Sequence, residues 1–189
     1  NYHGDRKIFT RKAEKTQNFE FSNVSTKWVY LSSLGKKWED AYKKVSEYVR
    51  SSSPKFAFNP GPDQLDLGLG SFSYLLPQTD ILIVNKKEAE QILGGENDVQ
   101  NLLPKLKELG SKTVVITDGE NGSYAIDGNS KTYFQEGGKV PVVSRTGAGD
   151  AYSTGFLAAI LSGKTIQDAM VWGTKNAVSV ISQIGAQKG

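Results

Sequence analysis

The sequence predicts an α/β fold of three layers, α-β-α, around a mainly parallel sheet, with its amino-terminal part missing. Three observations carry that expectation. Short apolar runs alternate with amphipathic helical stretches between residues 28 and 117, the grammar of strands joined by crossover helices. Two of those runs, Ile81-Leu82-Ile83-Val84 and Thr113-Val114-Val115-Ile116-Thr117, are apolar throughout or at their centre, as strands buried on both faces are. The sole methionine is Met170 and Asn1 opens the chain inside what reads as a structural element, so a piece of a longer protein is expected.

In chain order, residues 1–24 read as extended. His3-Gly4-Asp5 is a turn signal, with His3 an exposed turn residue, and Arg6-Lys7-Ile8-Phe9-Thr10-Arg11 is β-prone. Phe19 to Asn23 reads as a linker. Residues 1–26 are thus set apart from an α/β core over 27–189. Trp28-Val29-Tyr30-Leu31 is a short strand. Lys37 to Arg50 is a helix, because Trp38, Ala41, Tyr42, Val45 and Val49 recur at helical spacing. Lys55 to Asn59 is a strand stopped by Pro60-Gly61-Pro62, and a moderately helical stretch runs on to Leu76. Lys86 to Leu93 and Asp98 to Leu109 flank the buried strands as helices. Beyond them the pattern changes. Ser123 to Ile126, Lys131 to Phe134 and Val140 to Val143 read as short antiparallel strands with Gly/Asn turns. Ala148 to Leu161 and Thr165 to Ile184 read as closing helices.

Composition excludes several chemistries. There is no cysteine and one histidine, so disulfides, thiolate metal sites, His-pair metal sites and a cysteine nucleophile are out. A Ser/His/Asp triad has no ready histidine. A net charge of +3 is too small to indicate nucleic acid, and no apolar run approaches a membrane span. Lack of cysteine fits a reducing, cytoplasmic setting.

The sharpest motif is Thr146-Gly147-Ala148-Gly149-Asp150-Ala151, at the start of a long apolar helix. The first N–H groups of a helix lack internal acceptors and carry the positive end of its dipole. Glycine lets an anion approach that backbone closely. A carboxylate in the same turn could take a proton from an attacking hydroxyl while the amides hold developing charge. The plainer reading is a Gly-rich turn followed by an acidic first-turn residue. A dinucleotide fingerprint would want Gly or Ala where Tyr152 stands. Ser162-Gly163-Lys164-Thr165 mimics the end of a P-loop but lacks the upstream glycine, position 158 being Ala. Asn85-Lys86-Lys87-Glu88 and Thr117-Asp118-Gly119-Glu120-Asn121-Gly122 each directly follow a predicted strand, where open α/β sheets bind ligands. Asn85 and Glu88 could equally be a helix cap and its reciprocal partner, and Gly119 and Gly122 simple hairpin glycines.

These three segments, in this order, resemble the ribokinase-like (PfkB) carbohydrate kinase family. The resemblance implies ATP-dependent phosphorylation of a hydroxymethyl group on a sugar or nucleoside. Asp150 would be the catalytic base, with Gly147, Ala148 and Gly149 as the backbone anion hole. Asn85 and Glu88 would act near Mg²⁺ through water. Thr117, Gly119 and Gly122 would lie along the phosphates and ribose, and Asn176 beside the base. Residues 1–26 would be a remnant of the substrate-lid strands, through which a homodimer could form. The fragment could be inactive alone. Ser144 stands where the family commonly carries an acidic residue that helps to bind a monovalent cation, which puts K⁺ activation in doubt. Arg145, beside it, could contact phosphate or point to solvent. The alternative function is a non-catalytic nucleotide or sugar sensor on the same scaffold.

Overall fold

The computed structural model describes residues 20–21, 24–35, 37–95, 97–141 and 143–182. The extended reading of residues 1–19, with its turn and strand, lies outside them, as do positions 22 and 23 of the linker and 183 and 184 of the last helix.

One six-stranded sheet runs in sequence order: β1 (Trp28–Leu31), β2 (Lys55–Phe58), β3 (Ile81–Asn85), β4 (Thr113–Thr117), β5 (Ser123–Ile126) and β6 (Thr132–Gln135). Pairing is parallel from β1 through β4 and antiparallel from β4 through β6. The mainly parallel expectation holds, and the change of direction falls where the sequence pattern breaks.

Strand order explains the layers. Parallel crossovers are right-handed, so strands added in one direction place every connecting helix on the same face. That face carries α1 (Glu39–Ser52), the short α2 (Pro62–Asp66) with two 3₁₀ turns ending at Gln78, α3 (Lys86–Leu93) and α4 (Val99–Glu108). Their apolar stripes meet Phe56, Phe58, Leu82, Val84, Val114 and Ile116. The alternate strand residues, Ala57, Ile81, Ile83, Val115 and Ala125, face the other way and are covered by α5 (Ala148–Leu161) and α6 (Ile166–Ile181). This two-sided burial accounts for the continuous apolar runs in β3 and β4.

One expected element is absent. Val140 to Val143 forms no strand among its described residues. Pro141 has no N–H for a ladder, and the N–H groups of Val143 and Ser144 instead donate to the last α6 carbonyl, Ile181, at 2.9 and 3.2 Å. The segment therefore ties the start of α5 to the end of α6. No described helix is long and apolar enough to cross a membrane.

Candidate active site

The carboxyl ends of β3 and β4 lie side by side, because Asn85 and Thr117 are register partners. At Asn85 the chain turns straight into α3. Asn85 Oδ1 accepts from Glu88 N–H at 3.0 Å, and Glu88 Oε2 accepts from Asn85 N–H at 2.9 Å. This is a reciprocal cap, which satisfies two orphan donors at the helix start. It also presents both side chains at the sheet edge. Burial raises the Glu88 pKa above the ordinary carboxylate range; hydrogen bonds from Asn85 and Asn59 oppose that, and the charge of Asp150 adds to it.

After β4 the chain reverses within five residues. Asp118 N–H donates to Gly122 O at 2.8 Å, and Gly122 N–H to Gly119 O at 3.2 Å. Both glycines have positive φ, +55° and +99°. At Gly122 a side chain would also run into the Gln135 carbonyl. These are hairpin glycines, and their segment also forms a wall of the cleft.

The third segment opens α5. Gly147 adopts φ +83° as the helix N-cap, and its carbonyl accepts from Ala151 N–H at 2.8 Å. Ala148 N–H makes a long 3.4 Å contact to Arg145 O. The amides of Gly149 and Asp150 have no acceptor among the described residues. Gly149 has no need of positive φ, and a Cβ there would meet nothing within 4 Å. Packing does not demand glycine at this position, so the empty space suits a group that approaches the amides from outside. Asp150 is exposed in the first turn.

The three segments enclose one cavity of about 750 Å³, within the 300–1,000 Å³ typical of small-ligand sites. Asn85, Thr117, Gly119, Gly122, Ala148 and Gly149 line it. Gly147, Asp150 and Glu88 are not among its lining residues; Asp150 and Glu88 instead act on Tyr30 of β1, together with Ser153. Burial, followed by the charges of Asp150 and Glu88, raises the Tyr30 phenol pKa against the opposing hydrogen bond with Ser153. Asn176 does not line the cavity. Its Nδ2 donates to Ala151 O at 2.7 Å and so fastens α6 to α5. The α6 lining comes from Thr174, Ala177, Val178 and Ile181, a stripe at helical spacing on the side of the helix away from Asn176. Gly137 and Gly138 complete the wall. A Cβ at Gly137 would lie 2.5 Å from the Glu120 carbonyl, and one at Gly138 would strike Val178. Sequence reasoning missed these six residues. The Gly-Gly pair after β6 and the 174/177/178/181 spacing were the available signals.

Among the described residues no three acidic or imidazole side chains converge as a metal cage. Asn85 Oδ1 and Glu88 Oε2 are each engaged by a backbone N–H. Of the two only Asn85 lines the cleft, and so small a donor set suits a hydrated Mg²⁺ rather than a dehydrated one.

An open cleft at strand carboxyl ends is where α/β sheets bind ligands, and here the start of a helix stands beside it. The chain belongs to the pfkB family of carbohydrate kinases, whose sequence profile matches residues 4–189. It is 30% identical over 150 residues to an uncharacterized sugar kinase of Archaeoglobus fulgidus, covering 79% of this chain and 57% of that one. It is 34% identical over 116 residues to the cytidine kinase of Thermococcus kodakarensis, covering 59% and 40%. Its fold matches the ribokinase of Thermotoga maritima with a TM-score of 0.72 at 25% identity, over 86% of this chain and 52% of that one. It also matches the ribokinase of Arabidopsis thaliana complexed with ribose and ATP, with a TM-score of 0.73 at 23% identity, over 84% and 51%. The chain thus spans about half the length of the relatives it resembles.

Proposed function

We propose that this chain is the nucleotide-binding portion of a kinase that moves the γ-phosphoryl group of ATP to a hydroxymethyl group on a sugar or nucleoside. The observation that carries the reading is the start of α5. Two amides there have no acceptor among the described residues, glycine stands where packing does not require it, and an exposed carboxylate sits in the same turn. The family, the sugar kinase and cytidine kinase among its relatives, and the ribose and ATP bound by the Arabidopsis ribokinase support the same reading.

In the proposed reaction the Asp150 carboxylate accepts the hydroxyl proton of the acceptor. The freed oxygen bonds to the γ-phosphorus as the bond from that phosphorus to the bridging β,γ-oxygen breaks, and ADP leaves. Gly147, Ala148 and Gly149 shape the backbone that receives the transferring group, so the negative charge meets donors that need no reorganisation. Thr117, Gly119 and Gly122 lie along the phosphates and ribose. Thr174, Ala177, Val178 and Ile181 offer a slot for the base, with Asn176 holding α6 in place behind them. Asn85 and Glu88 would hold Mg²⁺ through water, and the ion would neutralise phosphate charge. The acceptor lies on the Tyr30 side of Asp150.

The test is ADP formation over ribose, fructose, 2-keto-3-deoxygluconate and cytidine in the protein that carries this chain. Asp150→Asn is expected to cut turnover by ~10²–10⁴-fold, the usual worth of a positioned acid–base group, with ATP affinity kept. An Asp150→Asn protein that works at near the wild-type rate overturns the assignment.

A further inference from the structure

Arg145 and Glu120 reach toward each other from separate walls of the cavity. Arg145 sits just before α5, and Glu120 sits in the turn between β4 and β5. Arg145 Nη2 stands 3.4 Å from Glu120 Oε1, and the side chains are 71% and 76% exposed. No other ion pair among the described residues joins two side chains that both line this cleft. Lys86, also in the lining, turns to Glu90 at 4.0 Å instead.

The pair is poorly suited to a structural role. It is long, made through one nitrogen, and open to water, and such pairs contribute little to stability. A guanidinium presents five donors in a planar fork that matches phosphate oxygens, and here most of that fork is unspent on Glu120. Its backbone lies at the anion hole, since the Arg145 carbonyl receives the Ala148 N–H. A carboxylate lining a cavity meant for a polyanion is otherwise a liability, because like charges at close range repel. Pairing with Arg145 neutralises it while the cleft is empty, and its exposure leaves it free to swing out.

We propose that Arg145 is a phosphate-binding residue of this cleft and that Glu120 is its resting partner, displaced when the polyphosphate of a nucleotide enters. This rests on the reading of the cavity as a nucleotide site. The ion pair is then a latch whose opening is coupled to binding. Glu120 lowers nucleotide affinity by competing for the guanidinium, and it acts only through Arg145.

Calorimetric titration of ATP with Mg²⁺, of tripolyphosphate and of adenosine into four proteins tests this. Arg145→Gln is expected to weaken ATP and tripolyphosphate by ~10-fold or more, as loss of a hydrogen bond to a charged group does, and to leave adenosine unchanged. Glu120→Gln is expected to tighten ATP by ~2–5-fold, in keeping with the modest worth of an exposed pair. The double variant should match Arg145→Gln alone. Unchanged ATP affinity in Arg145→Gln overturns the assignment, and tightening by Glu120→Gln that persists without Arg145 overturns the latch. If the wild type binds none of the three ligands, the nucleotide reading itself falls and takes this proposal with it.

Discussion

Two withdrawn carboxylates, Glu88 and Asp80, titrate in opposite directions. Burial leaves the Glu88 pKa raised. Burial also pulls Asp80 up, but hydrogen bonds from Lys112, from the Phe56 N–H and from Lys55 outweigh it and leave that carboxyl below its ordinary range. The distances are 2.8, 2.9 and 3.2 Å, with the Asp80 side chain 11% exposed. Linkage gives the signs. Asp80 stabilises the fold above the ordinary carboxylate range, and that contribution is lost as pH falls through its lowered pKa. Glu88 favours the fold below the ordinary range, and that contribution is lost as pH rises through its raised pKa. Asp80→Asn should therefore lower stability by about 1–3 kcal/mol near neutral pH, the cost of leaving the buried Phe56 N–H poorly paired, and should flatten the acid limb of the stability curve. Urea melts across pH check both. An unchanged acid limb would remove Asp80 from the account.

At the scale of elements, the contact between α5 and α6 sets the cleft, because α5 brings the amides and α6 brings the slot. The helices approach closely through Gly155 of α5 and Gly173 of α6. A Cβ at Gly155 would lie 2.8 Å from the Trp172 carbonyl and 3.0 Å from Asn176 Cβ. Gly155→Ala gains up to ~1 kcal/mol in helix propensity. That gain is offset by ~1–3 kcal/mol of overpacking against backbone that cannot yield, so net destabilisation is expected in thermal or urea melts. Gly149→Ala is the contrast. With nothing within 4 Å of its Cβ, it should leave stability unchanged or slightly raised while weakening ATP binding. Equal loss of stability in both variants would contradict the distinction between a packing glycine and a ligand glycine.

At the scale of the molecule, the cavity joins the two helical layers across the sheet edge. Its walls come from the starts of α3 and α5, the β4–β5 turn, the Gly137-Gly138 segment and the end of α6. A ligand bound there stabilises the folded chain by mass action. ATP with Mg²⁺ at a hundred times its Kd should add about 2.7 kcal/mol, seen as a raised Tm that tripolyphosphate reproduces in part. No shift at any ATP concentration would mean that the cavity is not a nucleotide site in this chain.

The strands, the helices and the glycine-flanked start of α5 could be read along the chain because each is written in local spacing. A period of two or of 3.6 residues, a cap, or a turn glycine involves neighbours within a few positions. Asn85 with Glu88, Thr117 with Gly119 and Gly122, and Gly147 through Asp150 all fall in this class. So does the family, whose motifs lie in order at strand ends. The strand expected at Val140 to Val143 failed because Pro141 and a distant carboxyl-terminal helix competed for its backbone. Asn176 turned toward α5, and Thr174, Ala177, Val178 and Ile181 took the lining, because the rotation of a helix on its neighbour depends on how two remote glycines let them close. The Arg145–Glu120 pair joins residues twenty-five positions apart. Contacts of that range exist only once right-handed crossovers have put four helices' worth of chain on their proper face, and no local pattern encodes them.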